Sequence, residues 1–282
     1  MKDAPLGVFD SGLGGLTVVR ALRDTCPGEH ILYLGDNARV PYGTRSPATV
    51  TRYALACASE LAQRGVKGIV VACNTVSSVA LETLRAELDL PITGVILPGA
   101  RAATRSAGDA AIGVMGTPGT IASGAYTRAV ASFSSRNEVI GQAAPLLVAL
   151  AEEGWTDGEV PRLVVRRYLS SFFDAQEVAG LPRHARVGCV VLGCTHFPLF
   201  RDLIEEELRE IGGRGIPVVD SASETARDVH SFLEERAMAR GSHGGTLEVL
   251  VTDMPKSFEA VASRFLGEPV AQVQQVDLST SA

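Results

Sequence analysis

The sequence predicts an α/β protein of two similar domains, each built on a mainly parallel sheet. Short apolar runs alternate with segments of helical spacing along nearly the whole chain, as in repeated βαβ units. The runs are continuously apolar, which is typical of parallel strands covered by helices on both faces. The chain has 282 residues, more than one hydrophobic core usually organises, so two domains are expected.

The first part of the chain contains four predicted strands. They are LGVFD (6–10), HILYLGD (30–36), GIVVAC (68–73) and ITGVIL (92–97). Helical spacing follows the first three, in GLTVVRALRD, ATVTRYALACASELAQRG and VSSVALETLRAEL. The second of these helices is predicted to begin at Ser46–Pro47, because serine caps helices well and proline suits the first turn.

The same order of elements begins again near residue 110. AAIGVMGTPGT (110–120) resembles GVFDSGLGGLT (7–17), since both pass from an apolar strand through a glycine-containing turn into a helix start. RVGCVVLGC (186–194) likewise resembles GVKGIVVAC (65–73). The two intervals differ in length, so the likeness is architectural and predicts two domains related by a pseudo-twofold axis.

The last third of the chain is predicted to return to the first domain, because it is too short for a third. It contains a strand and a helix in IPVVDSASETARDVHSFLEERA, a glycine-rich linker GSHGG, a strand in LEVLVTD, helical spacing in PKSFEAVASRFLG, and AQVQQVDL. The predicted domains are therefore 1–97 with 210–282, and 98–209.

Composition and charge exclude several classes of protein. The net charge is −6, which argues against a nucleic-acid-binding surface as the main feature. No apolar run approaches the ~18 residues that cross a bilayer, so no membrane partner is expected. The start MKDAPLGVFD lacks the apolar core of a signal peptide, and a cytoplasmic location is expected.

The five cysteines divide into two kinds. Their odd number and wide spacing predict free thiols, not a disulfide framework. Cys26 and Cys57 lie in helical patterns and Cys189 lies inside an apolar run, so these three are interpreted as small buried hydrophobes. Cys73 and Cys194 differ because each stands where a predicted strand ends and polar residues follow.

The position of these two thiols suggests acid–base chemistry. In open α/β sheets, ligands bind beyond the carboxyl ends of the strands, where Asp10, Cys73 and Cys194 are placed. If the two domains face each other, the thiols approach a shared cleft from opposite sides. Such a pair could remove a proton from one face of a carbon and return one to the other, which is racemisation or epimerisation. A thiol titrates at ~8.5 and is readily tuned towards working pH.

Neighbouring polar residues allow more than one interpretation. His196, two residues after Cys194, is either a proton partner or a structural histidine. Asp10–Ser11 before the turn GLGGLT is either turn chemistry or part of an anion site. The same turn with Asp36 as a ribose ligand would suggest a nucleotide site, although it lacks the third glycine.

A zinc site is the remaining alternative for the second thiol. Its ligands would be Cys189, Cys194 and His196. The spacing C-x4-C-x-H matches no standard zinc motif, and Cys189 is predicted inside a strand, so no metal site is expected.

In combination, seven motifs make the chain resemble the bacterial glutamate racemases of the cofactor-independent aspartate/glutamate racemase superfamily. The resemblance runs nearly from end to end. The motifs are GVFDSGLGGLTV (7–18), LGDNARVPYGTRS (34–46), VVACNT (70–75), GVILPGA (94–100), IGVMGTPGTIASGAY (112–126), VVLGCTHFPLF (190–200) and VDSASETA (219–226).

The resemblance implies two α/β domains with a discontinuous first domain, and the interconversion of L- and D-glutamate without cofactor or metal. D-Glutamate is a precursor of peptidoglycan. Cys73 would act on the D-enantiomer and Cys194 on the L-enantiomer. A homodimer is compatible with this resemblance. The alternatives are a sister racemase for aspartate or a hydantoin, and a secondary interaction role such as binding DNA gyrase.

The resemblance also implies roles for the neighbouring residues. Asp10, Glu152 and His196 would assist proton transfer, with Glu153 as a competing choice because Ala144–Pro145 stands where the family usually has Cys-Pro. The residues implied to hold the substrate are Asp10, Ser11, Tyr42, Gly43, Asn74, Thr75 and Thr195.

Overall fold

The computed structural model describes residues 2–178, 187–212, 215–241, 243–254, 256–271 and 273–278. Residue 186, at which the predicted strand 186–194 begins, lies outside them. The chain divides into two compact units, here unit 1 (Met1–Val95 with Ala222–Ala282) and unit 2 (Ile96–Ser221).

Strands and helices alternate along the chain. The strands are β1 (Leu6–Asp10), β2 (Ile31–Gly35), β3 (Gly68–Val71), β4 (Ile92–Gly94), β5 (Ala111–Gly116), β6 (Val139–Ala143), β7 (Val187–Gly193), β8 (Val218–Asp220), β9 (Leu247–Val251) and β10 (Val273–Gln275). The helices are α1 (Leu16–Thr25), α2 (Pro47–Gln63), α3 (Asn74–Val79), α4 (Leu81–Glu87), α5 (Ile96–Ala107), α6 (Pro118–Ala122), α7 (Ala125–Ala131), α8 (Pro145–Glu153), α9 (Glu159–Val178), α10 (Arg201–Gly212), α11 (Ser221–Glu235) and α12 (Phe258–Leu266).

Unit 1 contains a parallel sheet with strand order β10-β9-β2-β1-β3-β4. The central strands β1, β2 and β3 are buried along their whole length, as continuous apolar runs predict. The serine expected to cap the second helix does so, because Ser46 Oγ accepts the N–H of Thr49 at 3.3 Å. Parallel pairing brings the carboxyl ends of β1, β2 and β3 to one edge, with Asp10 level with Gly35.

Unit 2 contains a second parallel sheet, with strand order β6-β5-β7-β8. Strand β5 is fully buried, and α5 packs against the sheet through alanines such as Ala100 and Ala103. Strand β7 ends at Gly193, directly before Cys194. The prediction of mainly parallel sheets is confirmed in both units.

The unit boundaries differ from the domains expected from the sequence. The chain returns to unit 1 at Ala222 and not at residue 210. The reason is strand pairing, because Val218 and Val219 lie beside Val190 and Val191 of β7. Strand β8 therefore belongs to the second sheet, whereas the sequence assigned it to the first domain.

Two local predictions need correction. The fourth strand ends at Gly94, and Ile96–Leu97, expected in that strand, begin α5. The helix expected after the third strand is divided at Ala80 into α3 and α4. Strand β6 and the long helix α9 were not anticipated. Short apolar runs do not distinguish a strand from the first turn of a buried helix.

In the part of the chain that the structure describes, no helix combines the length and the apolar character needed to cross a membrane. All five cysteines are buried, and none of them forms a disulfide within the described residues.

Candidate active site

The turn after β1 folds around the carboxylate of Asp10. Asp10 is fully buried, and its Oδ2 accepts the backbone N–H groups of Gly12 at 3.1 Å and Gly15 at 3.0 Å. A Cβ added at Gly15 would lie 2.5 Å from the Cβ of Asp10, so only glycine fits there. The anion-binding amides expected in this turn are therefore directed, at least in part, to a carboxylate of the protein itself.

Cys73 lies beside this turn. The chain leaves β3 at Val71, and Cys73 occupies the cap position of α3. The thiol donates to Ser11 Oγ, with an Sγ–Oγ distance of 3.5 Å. Asn74 and Thr75 follow as the first, buried residues of α3. We call Asp10, Ser11, Cys73, Asn74 and Thr75 the first thiol cluster.

Tyr42 and Gly43 lie in the loop between β2 and α2, which leaves the same edge of the sheet. The side chain of Tyr42 is buried, and its hydroxyl donates to Oδ2 of Asp36. Burial, with the nearby Cys57 and Asp36, raises the pKa of Tyr42 far above its ordinary value. The hydroxyl of Tyr42 is therefore neutral at ordinary pH and bonded to Asp36.

The second thiol is part of a chain of hydrogen-bonding groups in unit 2. Cys194 Sγ lies 3.7 Å from Nδ1 of His196, and Thr195 Oγ1 lies 3.3 Å from the same nitrogen. The other ring nitrogen, Nε2, lies 3.2 Å from Oε1 of Glu152. Cys194, Thr195 and His196 are buried, whereas the side chain of Glu152 is 48% exposed. We call these four residues the second thiol cluster.

The protonation of His196 follows from these contacts. Burial by itself lowers the pKa of His196, and the hydrogen bonds to Cys194 and Glu152 raise it, to about 10 overall. At neutral pH the ring therefore carries both protons, one directed to the thiol sulfur and one to the carboxylate. The ring therefore places a positive charge beside the sulfur of Cys194.

Glu152 and Glu153, which the sequence could not separate, occupy different environments. Glu152 reaches His196, while Glu153 is exposed at the last position of α8. Gly154 follows in the left-handed conformation with φ of 80° and ends the helix. Pro145 begins the helix, so the substitution at 144 leaves its start intact.

The other three cysteines are ordinary buried thiols. Burial, with a smaller contribution from Glu29, raises the pKa of Cys26 to about 11. Burial raises the pKa of Cys189 to about 12 and that of Cys57 further still, with Asp36 adding to the latter. All three stay protonated at neutral pH, which agrees with their interpretation as small core residues.

The nucleotide and zinc alternatives do not fit the geometry. Asp36, the suggested ribose ligand, is fully buried and binds Tyr42, Arg39 and Thr252. Cys189, the suggested third zinc ligand, donates to the backbone oxygen of Ala103 at 3.4 Å. Across the described ranges, no three His, Cys, Asp or Glu side chains form a group that could hold a metal ion.

The Asp/Glu/hydantoin racemase family model matches residues 14–229, which is most of the chain and includes both Cys73 and Cys194. The chain belongs to this family. The racemase is 47% identical to a protein named glutamate racemase from Geobacter metallireducens, over 97% of this chain and 96% of that one.

Solved structures agree with this membership. The racemase is similar to the glutamate racemase of Thermus thermophilus, solved with β-chloro-D-alanine, with a TM-score of 0.85, 42% identity and 99% of each chain covered. It is also similar to the glutamate racemase of Francisella tularensis, solved with D-glutamate. There the TM-score is 0.88 and the identity 32%, over 99% of this chain and 100% of that one.

Proposed function

We propose that this racemase interconverts L- and D-glutamate with two thiols as its acid and base. The observation that carries the proposal is the matched position of Cys73 and Cys194. Each is buried directly beyond a parallel strand and touches a polar proton partner. The choice of glutamate as the substrate rests on relatives that are named glutamate racemase and match nearly the whole length of the chain.

The reaction needs one proton on each side of one carbon. With L-glutamate, the Cys194 thiolate takes the α-proton, and the electron pair of the broken C–H bond moves into the α-carboxylate. The Cys73 thiol then donates its proton to the opposite face of the α-carbon and becomes the thiolate. The product is D-glutamate, and the reverse reaction exchanges the roles of the two thiols.

The intermediate has carbanion character, and neutral hydrogen-bond donors are suited to stabilise it. A glutamate α-proton is only weakly acidic, so the charge that develops on the carboxylate needs donors already in place. Ser11, Asn74 and Thr75 in unit 1 and Thr195 in unit 2 are such donors, and three of the four are buried. Because water is excluded from buried groups, each hydrogen bond that they make to the carboxylate is stronger than it would be in solvent.

The two thiols receive different assistance. Cys194 has an imidazolium beside it, and Glu152 orients that ring from the other nitrogen. Cys73 has Ser11 as its contact, and Asp10 is the carboxylate of the same cluster. We propose that Asp10 assists Cys73, and that His196 with Glu152 assists Cys194.

The direct test is racemisation of pure glutamate by purified protein without added cofactor. The circular dichroism signal of an L-glutamate solution should decay to zero as the two enantiomers reach equal concentrations. In D2O, deuterium should appear at the α-carbon. The variants Cys73→Ala and Cys194→Ala should each abolish racemisation, while Cys26→Ala, a buried cysteine outside both clusters, serves as the matched control. Near wild-type racemisation by either catalytic variant would refute the two-base scheme.

Aspartate and hydantoins are the competing substrates, since the family description includes them. The same assay with L-aspartate and with a 5-substituted hydantoin separates these activities. If the protein turns over either compound faster than glutamate, that compound is the substrate and the proposal of glutamate is wrong. We further propose that the D-glutamate supplies peptidoglycan synthesis. Expression of the protein should therefore restore growth of a bacterial D-glutamate auxotroph on unsupplemented medium.

A further inference from the structure

A second set of contacts lies behind the loop of residues 36–46, which joins β2 to α2 and carries Tyr42–Gly43. Asp36 begins this loop, and its N–H donates to the backbone oxygen of Asp10 at 3.1 Å. The loop therefore starts beside the first thiol cluster. Its course from there depends on what holds Asp36.

The carboxylate of Asp36 accepts hydrogen bonds from its own loop and from a distant segment of the chain. Its Oδ2 accepts the Tyr42 hydroxyl, and its Oδ1 accepts Nε of Arg39 at 2.9 Å. The third donor is the hydroxyl of Thr252, at 3.0 Å from Oδ1. A buried carboxylate is stable only when such donors surround it. The position of the Tyr42 side chain therefore depends on how the carboxylate of Asp36 is held by its other donors.

Thr252 reaches Asp36 because β9 pairs with β2. Val251 lies level with Gly35, and the N–H of Thr252 donates to the oxygen of Gly35 at 3.1 Å. The Thr252 hydroxyl donates to Asp36 and also accepts the N–H of Ala38 at 2.9 Å. One hydroxyl thus satisfies the carboxylate and the first turn of the loop together.

The next residue extends the same clamp. Asn37 Nδ2 donates to the oxygen of Asp253 at 2.6 Å, and the N–H of Asp253 donates to Asn37 Oδ1 at 3.1 Å. Residues 36–38 are therefore bound to residues 252–253 along their length. These contacts join segments more than two hundred residues apart in the sequence.

We propose that Thr252 is a positioning residue for the substrate, acting through Asp36 on the backbone of Tyr42–Gly43. The inference rests on the proposed function, together with the expectation from the family resemblance that Tyr42–Gly43 contact the substrate. Loss of the hydroxyl frees the amide of Ala38 and removes one of the donors to Asp36. Tyr42 then loses its fixed acceptor, and the loop becomes a poorer partner for glutamate.

The test compares Thr252→Val with two matched variants. Thr252→Ser keeps the hydroxyl, and Thr246→Val removes a bonded hydroxyl just before β9, at the opposite end of the same strand. We expect Thr252→Val to raise KM for both enantiomers about tenfold, as for a lost hydrogen bond to a charged group. Its kcat should stay near that of wild type, because the loop holds substrate and transition state alike.

Hydrogen–deuterium exchange supplies a readout that needs no turnover. The amide of Ala38 should exchange faster in Thr252→Val and stay protected in Thr252→Ser and Thr246→Val. If Thr252→Val does not fold, Asn37→Ala breaks the adjoining part of the clamp and should raise KM in the same way.

Three results would overturn the inference. They are an unchanged KM and Ala38 exchange in Thr252→Val, an equal rise of KM in Thr246→Val, and a Thr252→Ser variant as impaired as Thr252→Val. Failure of wild-type protein to racemise glutamate would instead contradict the proposed function. The Ala38 exchange would still decide whether Thr252 holds the loop.

Discussion

Replacement of His196 by asparagine removes the cation beside Cys194 while keeping a polar side chain. The Sγ–Nδ1 distance is 3.7 Å. At this separation and an effective dielectric constant of about 20, a thiolate and an imidazolium attract by about 4 kcal/mol. If all of this attraction assists the thiolate in proton abstraction, its loss lowers the rate by up to about a thousandfold.

The loss should be unequal in the two directions. In the proposed scheme Cys194 is the base for L-glutamate, so kcat should fall more for L→D than for D→L in His196→Asn. Asp10→Asn should show the opposite inequality, because Asp10 belongs to the first thiol cluster. Two enantiomers have an equilibrium constant of one, so kcat/KM must stay equal in both directions and KM must compensate.

Glu152→Gln provides the graded control. Its carboxylate lies beside the far nitrogen of the ring and its side chain is 48% exposed, so its contribution through the ring is about 1 kcal/mol or less. We expect a loss of at most about tenfold, with the same inequality as His196→Asn. The assay is full kinetics from both enantiomers by circular dichroism, with deuterium uptake at the α-carbon. Equal losses of kcat in both directions for His196→Asn and for Asp10→Asn would refute the assignment of one partner to each thiol.

Three further predictions concern packing and charge. Gly15→Ala should abolish activity or folding, because the new Cβ would lie 2.5 Å from the Cβ of Asp10. The control is Gly215→Ala, where the added Cβ meets open space, and this variant should match wild type in melting temperature and activity. Lys67→Met should lower the free energy of unfolding by about 3–5 kcal/mol in urea, since it strands the buried carboxylate of Glu29. Arg64→Met, which breaks the partly exposed pair with Glu60, should cost less than about 1 kcal/mol; equal losses would contradict the role of burial. Because the pKa of His196 is higher in the folded protein than in the unfolded chain, protonation of the ring stabilises the fold. This stabilisation is complete below about pH 6.5 and is lost as the pH rises through about 10. The difference in unfolding free energy between wild type and His196→Asn should therefore shrink over that range, and a difference that grows would contradict it.

The positions of the two thiols were predictable because they depend on local pattern. A continuous apolar run marks a buried strand, and the first polar residues after it mark the carboxyl end where ligands bind. Cys73 and Cys194 were placed correctly on this basis, at the cap of α3 and directly after β7. The end of the fourth strand was placed too late, since Ile96–Leu97 are as apolar as a strand and Pro98 is tolerated in the first turn of α5.

The sequence by itself determined the alternation of strands and helices, the parallel sheets and the residues at strand ends, because each follows from periodicity within a few residues. Only the tertiary structure decided which of Glu152 and Glu153 contacts His196, since neighbouring helical side chains point about 100° apart and one alone can face the ring. It also decided which sheet β8 joins. The contact of Thr252 with Asp36 had no local signal, because a hydrogen bond across 216 residues exists only once β9 pairs with β2.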